Sequence, residues 1–240
     1  MYTIILDTET SGLTGKDRVI EFGIIVCDHN MNVVYKNSDY CFIPFKLSKS
    51  VSEYNGITNN NVETAKKIKE TDTYLMFDKY NIPDNIVVIH NSWFDMYMLY
   101  LSHIQINCKV IDTLNCARCL YPESESYKLE HLLNKYVHHD DKKVVQKHRA
   151  IDDCYELLKL YKCMLREYDE ESLIRFSMKR IVPFGKHKGK LWKNLDTNYL
   201  QWAHNKFLDP NSPDQLYVKT LLKLPMCEQQ KKLATYLKLI

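Results

Sequence analysis

Residues Ile86–Ile89 read IVVI, a run of four β-branched residues with no polar residue among them. A strand without alternation is buried on both faces, so this short segment demands covering layers above and below it. The surrounding pattern supplies them. Tyr2–Asp7, Arg18–Asp28 and Val33–Ile43 read as strands, with His29–Asn32 as the turn between the last two, which predicts a three-stranded antiparallel meander. Beyond it, Thr58 caps a helical pattern, Trp93–His103 has helical spacing, and Lys109–Ile111 is a further short strand. Thr113–Leu120, Lys128–Tyr136 and Ala150–Glu167 read as helices. A meander followed by alternating strand and helix is the order of an α/β domain with a mixed sheet.

Charge divides the 240 residues unevenly. Residues 1–171 hold 20 Lys+Arg and 26 Asp+Glu, whereas residues 172–240 hold 13 and 4, so an acidic body carries a basic module whose natural partner is a polyanion. The expected division is a first domain over 1–170, a linker over 171–178 and a small basic α+β domain over 179–240. In the last of these, Arg180–Trp192 reads as a hairpin around Gly185 and Gly189. Asn198–Asn205 reads as a helix capped by Asp196 or Thr197, a second helix starts at Pro213 with Ser212 as cap, and a third spans Glu228–Leu239. No apolar run approaches the length of a membrane span, and no secretory leader is expected. The 8 Cys then read as reduced thiols of a cytoplasmic or similarly reducing compartment. Cys116 and Cys119 form a Cys-x-x-Cys pair, but no second pair stands at zinc-ligand spacing.

The stretch LDTETSGL places Asp7 and Glu9 two residues apart on a strand, so both point to one face and repel each other unless a proton or cation intervenes. Carboxylates so placed suit a hard divalent cation, Mg²⁺ or Mn²⁺; an acidic turn after an edge strand is the alternative. HNSWFD puts Asp95 in the first turn of a helix after a buried strand, and HRAIDD puts Asp153 in the first turn of another. Either acid alone would read as a complement to a helix dipole. DTET, HNSWFD and HRAIDD in this order resemble the three motifs of the DEDD superfamily of 3′–5′ exonucleases, the DnaQ-like enzymes, over roughly residues 1–168. The resemblance implies a ribonuclease H-like mixed sheet flanked by helices, with two Mg²⁺ or Mn²⁺ held by Asp7, Glu9, Asp95 and Asp153. His148, five residues before Asp153, places the chain in the histidine branch and implies His148 as general base; Asp152 reads as a helix-start acid. The implied reaction is hydrolysis of DNA from single-stranded or frayed 3′ ends to 5′-mononucleotides. The same motifs serve exoribonucleases and small-oligonucleotide phosphodiesterases, and a catalytically dead binding scaffold is a further alternative.

By the same resemblance Thr8, Thr10, Gly12 and Leu13 hold the terminal nucleotide, with Leu13 available as a wedge. YNGIT contributes Ile57 against the terminal base, Asn91 holds the strand, and Asn55 stands where the family usually has His. FGKHKGK followed by NYLQW resembles a small C-terminal module of exonuclease X-like proteins. Lys186, Lys188, Lys190 and Lys193 are expected to face nucleic acid, DNA or RNA, with the nearby aromatics mostly in a small core. QKKLATYL, Gln230–Leu237, partly resembles the peptide that docks on sliding clamps; an ordinary amphipathic helix explains it as well.

Overall fold

The structure is a computed structural model that describes residues 1–137, 149–183, 185–206 and 213–236. Strands β1 (Thr3–Thr10), β2 (Val19–Cys27) and β3 (Val33–Tyr40) form the meander. Helices α1 (Lys49–Asn55), α2 (Asn59–Glu63) and α3 (Asp72–Tyr80) lead to β4 (Ile86–Ile89), α4 (Ser92–Leu101), β5 (Lys109–Asp112), α5 (Thr113–Leu120), α6 (Leu129–Tyr136) and α7 (Ala150–Met164). The sheet order is β3-β2-β1-β4-β5, with β1 antiparallel to β2 and parallel to β4, and β4 parallel to β5. The mixed sheet flanked by helices is therefore as expected.

Alternation explains the layers. Ile4, Leu6, Phe22, Ile24, Val87 and Ile89 bury one face of the sheet together with Phe77 of α3 and Met98 and Leu99 of α4. Ile5, Ile25, Val88 and Ile111 bury the other with Cys116 and Ala117 of α5, Leu132 of α6 and Leu157 and Tyr161 of α7. β4 is buried along its whole length, as its unbroken apolar run requires.

Two local expectations change. Thr58 does cap a helix, by a reciprocal box with Asn61, but that helix is the short α2; α1 ahead of it and α3 behind it are separate. The stretch 171–178 is not a linker. Helix α8 (Glu170–Ser177) occupies it, capped by Asp169, which accepts from the Ser172 amide at 2.7 Å. Leu173 is buried in the second core layer, and Ser177 donates from its backbone position on α8 through Oγ to Leu173 O while accepting from the Asp112 amide. The charges that suggest a boundary are a helix cap and its solvated first turn.

Beyond α8 follow α9 (Thr197–Lys206), α10 (Pro213–Leu221) and α11 (Glu228–Tyr236). The hairpin is reduced to one bridge, Ile181 with Leu191, closed by Val182 N to Lys190 O at 2.8 Å. Asp196 caps α9 by accepting from the Tyr199 amide. Val182, Trp192, Leu200, Ala203 and Val218 make a small core of their own. Leu216 of α10 and Leu233 and Ala234 of α11 are buried with the first core layer of the body instead. Ser212 and Leu237–Leu239 lie outside the described residues, and Leu233 of the clamp-like stretch is a packing residue.

Gly23 sits opposite Asp7 in the β1–β2 register, where α7 crosses the sheet. A Cβ there would lie 2.8 Å from the Ala150 carbonyl carbon and 2.9 Å from its Cβ. Gly23→Ala should cost about 1–3 kcal/mol by overpacking, measurable as a lowered denaturation midpoint, and wild-type stability would show that α7 can retreat freely.

Candidate active site

The parallel strands β1, β4 and β5 all end at one edge of the sheet, and the acids gather there. Asp7 and Glu9 share a face of β1, and a bulge between Glu9 and Thr10 shifts the register, so that Thr10 pairs with Val19. Asp153 reaches them from the first turn of α7. Asp7, Glu9 and Asp153 each offer a carboxylate oxygen within 4.8 Å of the others, an arrangement that among the described residues fits a metal ion. Asp95 lies beside this group. Its Oδ1 accepts from the Thr8 amide at 3.0 Å and the Thr8 hydroxyl at 2.7 Å, so the residue between the two strand acids ties the fourth acid down.

The electrostatics are those of an uncompensated anionic cluster. Burial, followed by repulsion from Asp95, Asp153 and Glu9, holds the Asp7 carboxyl well above the usual range. Burial and the Asp153 charge push Glu9 up to about 8, although a hydrogen bond from Asn55 opposes this. Burial raises Asp95 to about 7 against the pull of Thr8, and burial with Glu156 and Asp152 nearby raises Asp153 to about 7. Hard oxygen donors that repel one another this strongly fit divalent cations with oxygen preference. Asp152, also in the first turn of α7, is not part of the group.

Three supporting residues hold this arrangement, and sequence reading missed the first two. Glu21 lies opposite Glu9 in the register and is 0% exposed. It accepts from Arg149 Nε at 3.1 Å and Nη2 at 2.9 Å, from the Ala150 amide at 3.3 Å and from Ser38 Oγ at 2.8 Å. The Arg149 guanidinium also covers the Tyr40 ring at 5.0 Å. This fixes the N-terminus of α7, two turns of chemistry at once: Asp153 follows it, and His148 precedes Arg149 in sequence. His148 itself lies outside the described residues. Asp112 accepts from the amides of Asn91, Ser92, Leu114 and Asn115, so one buried carboxylate starts both α4 and α5. Asn55 is the third. Its Oδ1 accepts from the Ile57 amide at 3.0 Å while its side chain bonds Glu9, which gives the departure from His a role in supporting a site acid.

The expected substrate contacts divide. Thr8 is buried and engaged with Asp95. Thr10 donates to the Gly12 carbonyl at 2.8 Å, and Gly12 lies so close under the Asp17 carboxylate that a Cβ would meet it at 2.6 Å. Asp17 also accepts from Ser11 and Thr14, which shapes the loop and leaves Leu13 at its tip 78% exposed. Asn91 stands at the N-cap position of α4 in a left-handed conformation, φ 66°, while the capping carboxylate is that of Asp112. Ile57 is corrected: it is 0% exposed, packed with Ile20, Ile43, Leu47 and Val62, and offers a base no surface. Lys186, Lys188, Lys190 and Lys193 are all exposed.

The family described as Exonuclease, RNase_T, matches residues 4–161, the span that contains this site. The chain belongs to the RNase_T exonuclease family. Members of this DnaQ-like family typically use divalent metals. Among relatives, the PolC-type DNA polymerase III of Bacillus subtilis (strain 168) is 31% identical over 170 residues, 66% of this chain and 11% of that protein. That of Pediococcus pentosaceus is 33% identical over 175 residues, again 11% of its length. The chain thus spans only a small part of these relatives. Exonuclease X in complex with 5′ overhanging duplex DNA has a TM-score of 0.58 at 22% identity, covering 73% of this chain and 99% of that one. A zinc-bound E. coli ExoI complex with single-stranded DNA has a TM-score of 0.57 at 20% identity, covering 73% and 42%. At those identities the likeness speaks to the fold.

Without metal, the native exonuclease domain keeps protons that the unfolded chain has already released. Stability of the EDTA-treated protein should therefore fall as pH rises from about 4 to about 8. Asp7→Asn should raise its melting temperature at neutral pH, and a pH-independent melting temperature would contradict the cluster. Glu21→Ala should cost about 3–5 kcal/mol, because it leaves Arg149 unpaired in a partly buried place; a loss under 1 kcal/mol in urea unfolding would rule out Glu21 as the anchor of α7.

Proposed function

We propose that the protein is a 3′–5′ exonuclease that hydrolyses single-stranded or frayed DNA ends to 5′-mononucleotides. The convergence of Asp7, Glu9 and Asp153 on one point, with Asp95 tied beside them through Thr8, carries this reading. Asp7, Glu9 and Asp153, with Asp95 beside them, would hold the divalent ions. Such ions, when bound, supply a water of lowered pKa and stabilisation of the departing 3′ oxygen. His148 accepts the proton of the attacking water, a role for which an imidazole is suited near neutral pH. Leu13 wedges against the last base from the exposed loop tip, and Thr10, Gly12 and Asn91 line the path of the terminal nucleotide. DNA is favoured over RNA because the similar structures named above are DNA complexes.

Asp7→Ala and His148→Ala should each lower mononucleotide release by at least about a thousandfold while leaving the fold intact by circular dichroism. Wild-type turnover in the Asp7 variant would refute the assignment. Digestion of 3′-labelled single-stranded DNA, duplex DNA and RNA in Mg²⁺ or Mn²⁺ should proceed fastest on single-stranded DNA; faster digestion of RNA would replace this substrate with the exoribonuclease alternative.

Lys186, Lys188, Lys190 and Lys193 are proposed to neutralise phosphates of the bound strand. Residues 172–195 contain no acid and seven Lys+Arg, a charge pattern suited to a phosphate backbone. Changing the four lysines to Ala should weaken oligonucleotide binding and flatten its dependence on salt. An unchanged salt slope would remove them from the interface.

A further inference from the structure

The aromatics of the basic module divide between interior and surface. Trp192 is fully buried, and its Nε1 donates to Asp214 at 3.1 Å. Trp202, on α9, is 43% exposed. It continues into two half-buried rings, Tyr199, which packs against the small core, and His187. Its ring lies 5.1 Å from that of Tyr199, tilted by 39°, and Tyr199 meets the His187 ring edge-on at 4.4 Å. Lys186 Nζ stands 5.9 Å over the Tyr199 ring. Gly185 and Gly189, both at positive φ, turn the loop that brings Lys186 and His187 back onto α9. Lys206 follows Trp202 by one helical turn and so shares its side of the helix. α9 contains no acid, and Asp196 just before it is occupied in capping.

The surface is also joined to the catalytic domain beside its site. Lys188 Nζ lies 5.9 Å over the Tyr127 ring, and the Tyr127 carbonyl bonds His90 Nε2 at 2.9 Å. His90 opens the stretch that carries Asn91 and Asp95.

We propose that Trp202, Tyr199 and His187 form a stacking platform for unpaired bases of the single-stranded DNA whose 3′ end enters the catalytic site, with Lys186 and Lys206 facing its phosphates. This rests on the nuclease reading above for the identity of the strand. An aromatic face accepts any base, because every base has a π-face, while the lysines attract the backbone without reading sequence. That combination suits an enzyme that must hold each successive sequence equally. It also assigns different work to the two kinds of side chain, which makes the platform separable from the charge.

The test is equilibrium binding to the 240-residue protein in EDTA, where no hydrolysis is expected, comparing a single-stranded oligonucleotide with an abasic strand of the same length and a blunt duplex. Wild type should prefer the base-bearing strand. Trp202→Ala should weaken binding to that strand roughly tenfold, abolish the preference over the abasic strand and leave the salt slope unchanged; Trp202→Phe should restore most of it. Lys186→Ala with Lys206→Ala should weaken both strands alike and reduce the slope. Circular dichroism and melting temperature check that each variant is folded. The platform is overturned if Trp202→Ala binds the base-bearing strand as wild type does, or loses affinity equally for the abasic strand. Because these measurements need no turnover, failure of the nuclease reading, seen as absence of any 3′-end digestion by wild type in Mg²⁺ or Mn²⁺, is distinguished from failure of the platform.

Discussion

Mutual repulsion of the carboxylates is what the rest of this structure is organised against. Asp7, Glu9, Asp95 and Asp153 all have carboxyl groups held above their ordinary range by burial and by one another. A chain free to move would separate them. Here each acid starts from an element packed into the two-layered core, and each is restrained again by a neighbour: Thr8 for Asp95, Asn55 for Glu9, and the Glu21–Arg149 pair at the head of the helix that carries Asp153. Strain of this kind persists only where the surroundings over-determine it.

Much of this was legible in the sequence because the informative signals are local. DTET, HNSWFD and HRAIDD each place an acid within a few residues of a strand end or helix start, and β4 is recognisable from four apolar residues alone. The supporting residues were not legible, because their partners are distant. Glu21 meets Arg149 across 128 positions, and Asp112 meets Ser177 across 65. Alone, Glu21 is only a charged residue in a hydrophobic strand, a conflict with local pattern that could have flagged it. Ile57 failed for the opposite reason: a loop motif was read as surface, whereas Gly56, at φ 72°, turns the chain so that Ile57 points inward.

The C-terminal region shows the same limit. Its charge pattern is visible without structure, but its attachment is not. α8 completes the second core layer of the body, and α10 and α11 contribute to the first, so the basic loop and α9 are carried on helices that share cores with the catalytic domain. The contrast between buried Trp192 and exposed Trp202 could not come from composition, since both lie in similar apolar-and-basic surroundings.

The bulge between Glu9 and Thr10 separates two kinds of freedom. Upstream of it, a shift of one residue would carry Asp7 and Glu9 to the wrong face of the sheet together. Downstream, Thr10 pairs with Val19 in a shifted register, the Ser11 amide donates to Arg18 O, and the loop beyond closes on itself through Asp17, Ser11 and Thr14. The rim that would meet a nucleotide can therefore be lengthened, shortened or rebuilt in evolution or by design, while the acidic floor beneath it stays in place.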